Sequence, residues 1–478
     1  MDDRKVIKQN CKMNKKAVVN QADAFWQDLL QQFLLYHMEG LGNPYCMMMD
    51  RMWWDTSASR NRRVCDGTDE FCVTCTPHPS IPIPYDGRMK GVHMDILEDS
   101  TSVERALFAH AEKNKIPLYG ILELLPLCNM NCDMCYVRMS REEVEAKGRL
   151  RTLDEWLDIA RQMAKAGTLF VLLTGGEPLL YPEFRTLYQE LRRLGMIVTI
   201  NTNGTLIDEE WADFFRKNRP RRINITLYGA SEETYRNLCH FPEGYERTMR
   251  GIRLLRERGV DVKINGSLAK GNMNDRMEII ARGEELDVPV RIDTYMYPSV
   301  RERSCPYNLQ ARMSPEEAGR AKVEVLRREM GEELFAKYRE KTLELAGHTP
   351  EGDPVPGEMT CRAGKSSYTI NWQGEMRACV VLDEPSVPVA ETGFSKAWEQ
   401  VVQGTSRIRT SAACSACKLR KICNTCAASA KAECGAYDAV PEYLCRYTRE
   451  TIRCLESVDD TESVSHTRNQ YQEESTLK

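Results

Sequence analysis

The sequence predicts an α/β protein: a partial barrel of six strand–helix units followed by a cysteine-rich C-terminal domain. Three observations carry this. Strand-like and helix-like runs alternate from residue 116 onward, a cysteine triplet directly follows the first strand, and cysteines crowd again from Cys361. A chain of 478 residues exceeds one ordinary domain, so one large α/β domain with smaller modules is the natural organisation.

Residues 1–115 show neither a helical nor a strand period; MMMDRMWWDTSASRNRRVCDG (47–67) mixes Met, Trp, Arg and Cys without order. This N-terminal arm of unclear fold reads either as an extension upstream of a natural start at Met89 or Met94, which we favour, or as a poorly ordered arm. Six strands then follow: YGILELL (119–125), LFVLLTGG (169–176), MIVTIN (196–201), RINITLYG (222–229), VDVKING (260–266) and VRIDTYMY (290–297). Between them lie amphipathic helices, such as LDEWLDIARQMAKAG (153–167) and EFRTLYQELRRLG (183–195). Such repetition implies right-handed βα crossovers and a parallel sheet. Six units predict a partial (β/α)6 barrel of the TIM type over 116–312, whose chemistry belongs at the C-terminal ends of the strands. Ser314, Pro315 and Glu317 form an N-cap, a first-turn proline and a capping-box acid for a charged helix to about Ala346. The helical connector, 313–357, runs into the Pro/Gly-rich HTPEGDPVPGE (348–358). The cysteine-rich domain occupies 358–456, and the polar residues 457–478 are expected to be disordered.

Charge nearly cancels, 66 basic against 70 acidic residues, and no Lys/Arg-dense run is present to track a phosphate backbone, so a nucleic-acid substrate is not indicated. No apolar segment has the length of a signal peptide or a membrane span, which predicts a cytoplasmic protein without membrane attachment. In a reducing compartment, 19 cysteines, an odd and clustered set, point to thiolates holding metal rather than to disulfides.

Cys128, Cys132 and Cys135 stand in CNMNCDMC, spaced C-x3-C-x2-C. Three thiolates in so short a loop can each take one iron of a cubane and leave the fourth iron open to chelate a small molecule. A structural zinc site would normally want four ligands from two separated pairs, and a ferredoxin cluster a fourth nearby cysteine followed by proline; neither follows here. This triplet after strand one resembles the signature of the radical S-adenosylmethionine (SAM) superfamily. Strand two ends in Thr174-Gly175-Gly176-Glu177-Pro178, similar to the family's GGE motif. The resemblance implies that Gly175 and Gly176 let backbone approach the methionine moiety of SAM and that Glu177 helps accept from its ammonium group. Strand three ends in Asn201-Thr202-Asn203-Gly204-Thr205 and strand four carries Thr226-Leu227-Tyr228-Gly229, which makes Asn203 and Thr226 ribose or carboxylate contacts by resemblance, with Arg236 a carboxylate partner. Val262 to Gly266 resembles the fifth-strand adenine contact, a plain buried strand being the alternative, and Met134 lies where an apolar residue packs beside the adenine. The mechanism so implied is reductive cleavage of SAM to a 5'-deoxyadenosyl radical that removes hydrogen from a substrate, with flavodoxin or ferredoxin as the reducing partner.

Downstream, Cys361 is followed by Gly374 and Cys379, then by Cys414-x2-Cys417-x5-Cys423-x2-Cys426 and by Cys445. This resembles the SPASM module, an auxiliary iron–sulfur cluster extension, with x2 in place of x3 before Cys426. A zinc ribbon would separate its two pairs by more than the five residues between Cys417 and Cys423. The resemblance implies one [4Fe-4S] cluster on Cys414, Cys417, Cys423 and Cys445 and another on Cys361, Cys379 and Cys426, whose fourth iron is open or takes Cys434. Cys239, Cys305 and Cys454 read as isolated packing or exposed thiols, and Cys65, Cys72 and Cys75 have no persuasive fold around them.

Sulfatase-maturing members carry an aspartate after the cysteine that matches Cys379. Here Val380 stands in that place and Asp383 is out of register, which disfavours formylglycine formation and leaves modification of a peptide or small protein ahead of small-molecule or cofactor-biosynthesis chemistry. An iron–sulfur electron carrier, which would need no Gly-Gly-Glu or Asn-Gly strand ends, and a non-catalytic homologue are the alternatives of other classes.

Overall fold

The structure is a computed structural model and describes residues 102–297, 311–347, 355–423 and 425–458. The proposed start at Met89 or Met94, the Cys65, Cys72 and Cys75 triplet, Cys305 and the tail from residue 459 lie outside the described residues.

Within the stretch read as an arm, helix α1 (Ser102–Asn114) belongs to the fold. Phe108 stacks on Phe170 at 5.3 Å, and the buried Glu104 pairs with Arg221 at 2.8 Å. Only Leu107, Phe108 and Ala111 give this helix a core face, too short an apolar stripe to announce itself in sequence.

Six strands run parallel in chain order: β1 (Tyr119–Glu123), β2 (Phe170–Thr174), β3 (Ile197–Thr202), β4 (Arg222–Thr226), β5 (Val262–Ser267) and β6 (Val290–Asp293). Between β1 and β2 come α2 (Arg141–Lys147) and α3 (Leu153–Ala166); the later crossovers are α4 (Phe184–Arg193), α5 (Glu209–Lys217), α6 (Glu232–Cys239), α7 (Gly244–Glu257) and α8 (Arg276–Glu285). Helix α3 shows why. Thr152 and Glu155 close a capping box at its start, Gly167 ends it in the left-handed region, and Trp156, Ile159, Ala160 and Met163 bury one face against the sheet. Helix α4 repeats the pattern with Phe184, Leu187, Tyr188 and Leu191. Each fully buried large apolar side chain of this kind contributes about 1.5–3 kcal/mol. This is the expected partial barrel, with the strand ends that precede α2 to α8 on a common rim.

The sheet does not stop at β1. Strand β7 (Ser367–Ile370), from the cysteine-rich region, pairs parallel with the other edge of β1, and β8 (Glu375–Arg377) and β9 (Val387–Pro388) extend it antiparallel, giving the order β9-β8-β7-β1-β2-β3-β4-β5-β6. Strand β1 is therefore central, its backbone satisfied on both sides. The junction is sealed by Tyr368 on β7. Its hydroxyl lies 2.8 Å from Thr168 Oγ1, which donates to Pro117 O at 2.7 Å, and its ring covers Gly120 on β1.

Helix α9 (Pro315–Ala346) begins at the Ser314 capping box and breaks at Gly331 (φ 71°). It packs along α12 (Glu442–Glu456), which follows α10 (Phe394–Ser406) and α11 (Ala427–Cys434). Among the described residues no helix is long and apolar enough to cross a membrane.

A Cβ on Gly120 would sit 2.6 Å from the Tyr368 hydroxyl and 2.8 Å from Cζ. Gly120→Ala should therefore cost about 1–3 kcal/mol as an overpacking change. In a Tyr368→Leu background the same substitution should cost measurably less, as read by denaturant unfolding in a double-mutant cycle.

Candidate cysteine-ligated active site

The cysteine triplet occupies the loop that leaves β1, and backbone hydrogen bonds hold this loop on two sides. Gly176 N donates to Leu125 O at 2.7 Å and Glu177 N to Leu127 O at 2.9 Å, so the β2 loop crosses directly under the β1 loop. Gly175 has φ 145°, and a Cβ there would strike Leu125 O, while one on Gly176 would strike Leu127 O. The two glycines are thus demanded first by this crossing. From the opposite side, Asn131 N donates to Cys239 O at 3.0 Å and Asp133 N to Leu238 O at 2.9 Å, so the last carbonyls of α6 anchor the loop. His240 Nε2 lies 2.7 Å from Asp133 Oδ1 and adds a side-chain tie.

The strand ends supply polar groups beneath the thiols. Glu177 is fully buried, and its carboxylate accepts from Thr202 Oγ1 at 2.8 Å, Asn203 N at 2.8 Å and Leu179 N at 3.1 Å. Burial pushes this carboxyl up to about 7 although all three donors pull it down. Asn203 Nδ2 donates to Asn129 Oδ1 at 2.9 Å and points at Cys128 Sγ at 3.7 Å, while its Oδ1 accepts from Thr205 N and Oγ1 at 3.0 and 2.7 Å. Glu177, Asn203 and Cys128 therefore form one connected cluster. Met134 is buried within the cysteine loop, and Thr226 ends β4 in register with Asn265 on β5. Arg236 stands apart, on the exposed side of α6 opposite the buried Tyr235 and Leu238.

Sequence reading assigned no role to three residues that the fold brings to the site. Asn129, inside the cysteine motif, links Asn203 to Thr205. The half-buried Tyr228 has Cys132, Cys239, Cys128 and Cys135 as neighbours, and desolvation drives its phenol well above its ordinary range. Asn272 is buried and spans the loops after β4 and β5, donating to Tyr228 O at 2.7 Å and Ser267 O at 3.0 Å and accepting from Ala269 N at 2.7 Å. Asn129 and Tyr228 stand inside quoted motifs, whereas nothing in sequence marks Asn272.

Among the described residues no three His, Cys, Asp or Glu side chains converge tightly enough to hold one metal ion, so the fit of an iron–sulfur cluster is judged from the surroundings of each sulfur. Burial pushes the Cys128 thiol up to about 12, with Glu177 adding and Cys132 and Cys135 near enough to contribute. Soft thiols that are costly to ionise alone suit a site where iron supplies the compensating charge. Backbone donors are already aimed at the sulfurs: Met130 N at Cys128 Sγ (3.4 Å) and Arg138 N at Cys135 Sγ (3.3 Å). Such N–H···S contacts stabilise cluster thiolates, and the donor set fits.

The C-terminal cysteines fall into two groups in space. Burial pushes Cys379 up to about 12, with Cys426 and Cys361 as its thiol neighbours, and Cys361 in turn senses Cys426. Separately, burial pushes Cys445 up to about 11 with Cys423, Cys414 and Cys417 around it, and Cys414 senses Cys423 and Cys417. Donors are again in place, Val381 N at Cys379 Sγ and Thr425 Oγ1 at Cys423 Sγ, each at 3.4 Å. Cys434 belongs to neither group. Cys426 caps the start of α11 and Cys434 ends it, a separation of about 12 Å at helical rise, and the exposed Cys434 thiol donates to Val440 O at 3.5 Å. After Cys379, the adjacent Val380 is half-buried and Asp383, four positions on, is exposed.

Relatives place this geometry. AdoMet-dependent heme synthase of Methanosarcina barkeri (strain Fusaro / DSM 804) is 25% identical over 329 residues, 66% of this chain and 92% of the relative. Among solved structures, Streptococcus suis SuiB bound to precursor peptide SuiA superposes with a TM-score of 0.52 at 18% identity, covering 75% of this chain and 83% of that one. Native anSMEcpe with bound AdoMet and Cp18Cys peptide superposes with a TM-score of 0.55 at 17% identity, covering 71% and 96%. These structural likenesses speak to the fold. The family model described as Radical SAM superfamily matches residues 122–282. That match opens in β1 and closes in α8, so over residues 122–282, which take in the cysteine loop and the strand ends beneath it, the chain is similar to the radical SAM superfamily.

Proposed function

We propose that this chain is a peptide- or protein-modifying radical SAM enzyme with a catalytic cluster and two auxiliary clusters. The observation that carries the reading is the sorting of the C-terminal thiols into Cys361, Cys379 and Cys426 on one side and Cys414, Cys417, Cys423 and Cys445 on the other. The solved neighbours bound to precursor peptide SuiA and to the Cp18Cys peptide support the substrate class. The auxiliary assignment is that of a SPASM module, the expected setting is the reducing cytoplasm, and the electron source is flavodoxin or ferredoxin.

Cys128, Cys132 and Cys135 would hold a [4Fe-4S] cluster, which when bound would supply the one-electron reduction for SAM cleavage. The protein's own part is binding and order. Asn203, through Asn129, fixes the loop that bears Cys128, and the Gly175-Gly176 crossing sets the height of that loop over the sheet. Glu177, with its oxygens taken by three donors of the chain, organises the β3 end, which would leave the ammonium of SAM to the backbone of the half-buried Gly-Gly turn. Thr226 and Met134 are placed to line the cofactor, and Arg236 is retained as a carboxylate partner on resemblance alone.

A second reading, small-molecule or cofactor-type chemistry, is favoured by the relative named as a heme synthase, which matches over nearly its whole length. Products distinguish the two. Incubation with a cysteine-bearing peptide, or with an iron porphyrin, should give a mass change in one and not the other.

Anaerobically reconstituted protein given dithionite and SAM should release 5'-deoxyadenosine, quantified by liquid chromatography, and alanine at Cys128, Cys132 and Cys135 should abolish release. A cluster-bearing protein that releases none under several reductants would be an electron carrier or a non-catalytic homologue.

Glu177→Gln replaces an acceptor oxygen by an amide that faces donors. It should lower iron retention at the catalytic site and cost about 1–3 kcal/mol, measured by iron and sulfide analysis and by thermal unfolding of the same samples. Because burial raises the Glu177 carboxyl to about 7, the cluster-free wild type should lose stability as pH rises from about 4.5 towards 7, where the unfolded chain ionises first. The Gln variant should not show this slope.

Cys426→Ala should remove about four iron atoms per chain, whereas Cys434→Ala should leave the iron count and the electron paramagnetic resonance spectrum unchanged. Loss of iron in the second variant would return Cys434 to the ligand set.

A further inference from the structure

Lys322 is a lysine in an unusual place. It lies part-buried on α9, and among the described residues no carboxylate pairs with it. Its ammonium sits 5.4 Å from the centroid of the Tyr447 ring on α12, two residues beyond Cys445. Its neighbour Val323 shares an apolar cluster with Leu419 and Ile422, which lie within the Cys417–Cys423 loop, and Cys417 packs against that cluster. Among the described residues Cys423 is the ionisable group whose charge acts on the lysine, favouring the ammonium that burial disfavours. Burying an unpaired ammonium is expensive, so a compensating negative charge is expected beside it.

Two more thiols of the four-thiol group are built the same way. Arg420 acts on Cys414 and Arg449 on Cys445, so three of its thiols each have a cation at hand. A cluster with four thiolates carries net negative charge, which grows when it takes up an electron, and a fixed cation in a poorly solvated site favours the reduced form.

We propose that Lys322 is a positioning charge that raises the reduction potential of the cluster held on Cys414, Cys417, Cys423 and Cys445. The inference rests on the auxiliary-cluster reading above. It assigns α9, otherwise a connector, a part in the electron balance of the enzyme.

The test is a dithionite titration of the reconstituted full-length protein followed by electron paramagnetic resonance, with Cys414→Ala used to identify the signal of this cluster. At a fixed potential, Lys322→Met should hold roughly tenfold less of this cluster reduced, a shift of about 59 mV to more negative potential for one electron. Lys322→Arg should stay close to wild type, and the catalytic cluster should not move in either. An unchanged midpoint in Lys322→Met with iron retained overturns the proposal. Should that variant lose iron, Lys322→Gln is titrated instead and read by the same criterion. If Cys414→Ala contains as much iron as wild type, the auxiliary-cluster reading fails itself, an outcome distinct from a loaded cluster whose potential ignores Lys322.

Discussion

The crossing of the β1 and β2 loops governs the rest of this structure. Two backbone hydrogen bonds, from Gly176 and Glu177 to Leu125 and Leu127, lock the cysteine loop onto the neighbouring strand end. They require that no side chain stand between the loops, which is why both Gly175 and Gly176 are glycine. Once the loops are locked, Glu177 is carried into the interior, where only hydrogen bonding makes a carboxylate tolerable. It finds those bonds at the end of β3, and Asn203 on that same strand end reaches back to Cys128. The thiols, the turn and the third strand are one unit.

A second constraint joins the C-terminal cysteines to that unit. Strand β7 completes the edge of β1, so the auxiliary region and the cysteine loop hang from the same central strand. Tyr368 lying over Gly120 fixes this register, and Cys379 follows within the β8–β9 extension. The position of Cys379 relative to the Cys128–Cys135 loop is then set by sheet hydrogen bonds rather than by a linker. Helix α9, packed against α12, closes the other side and brings Lys322 to the thiols around Cys423.

Much of this was legible from the chain alone. The alternation of strands and helices gave the parallel partial barrel because period 2 and period 3.6 are local properties of consecutive residues. The triplet of Cys128, Cys132 and Cys135 was legible because a cluster loop is short and its spacing survives any fold. Helix α1 was missed, since its apolar face has only three buried residues and a stripe that short does not rise above chance.

By itself, then, the sequence determined the class of the fold, the cysteine triplet after the first strand and the glycines of the turn, all of which depend on neighbours in the chain. Tertiary structure decided what depends on distance. It showed that Asn203 serves the cysteine loop through Asn129, that Tyr228 lies among the thiols, and that Asn272 braces two loops from afar. It also divided seven C-terminal cysteines into groups of three and four and set Cys434 apart at the far end of a helix. Spacing in sequence records how many residues intervene; only the folded backbone turns that number into a length.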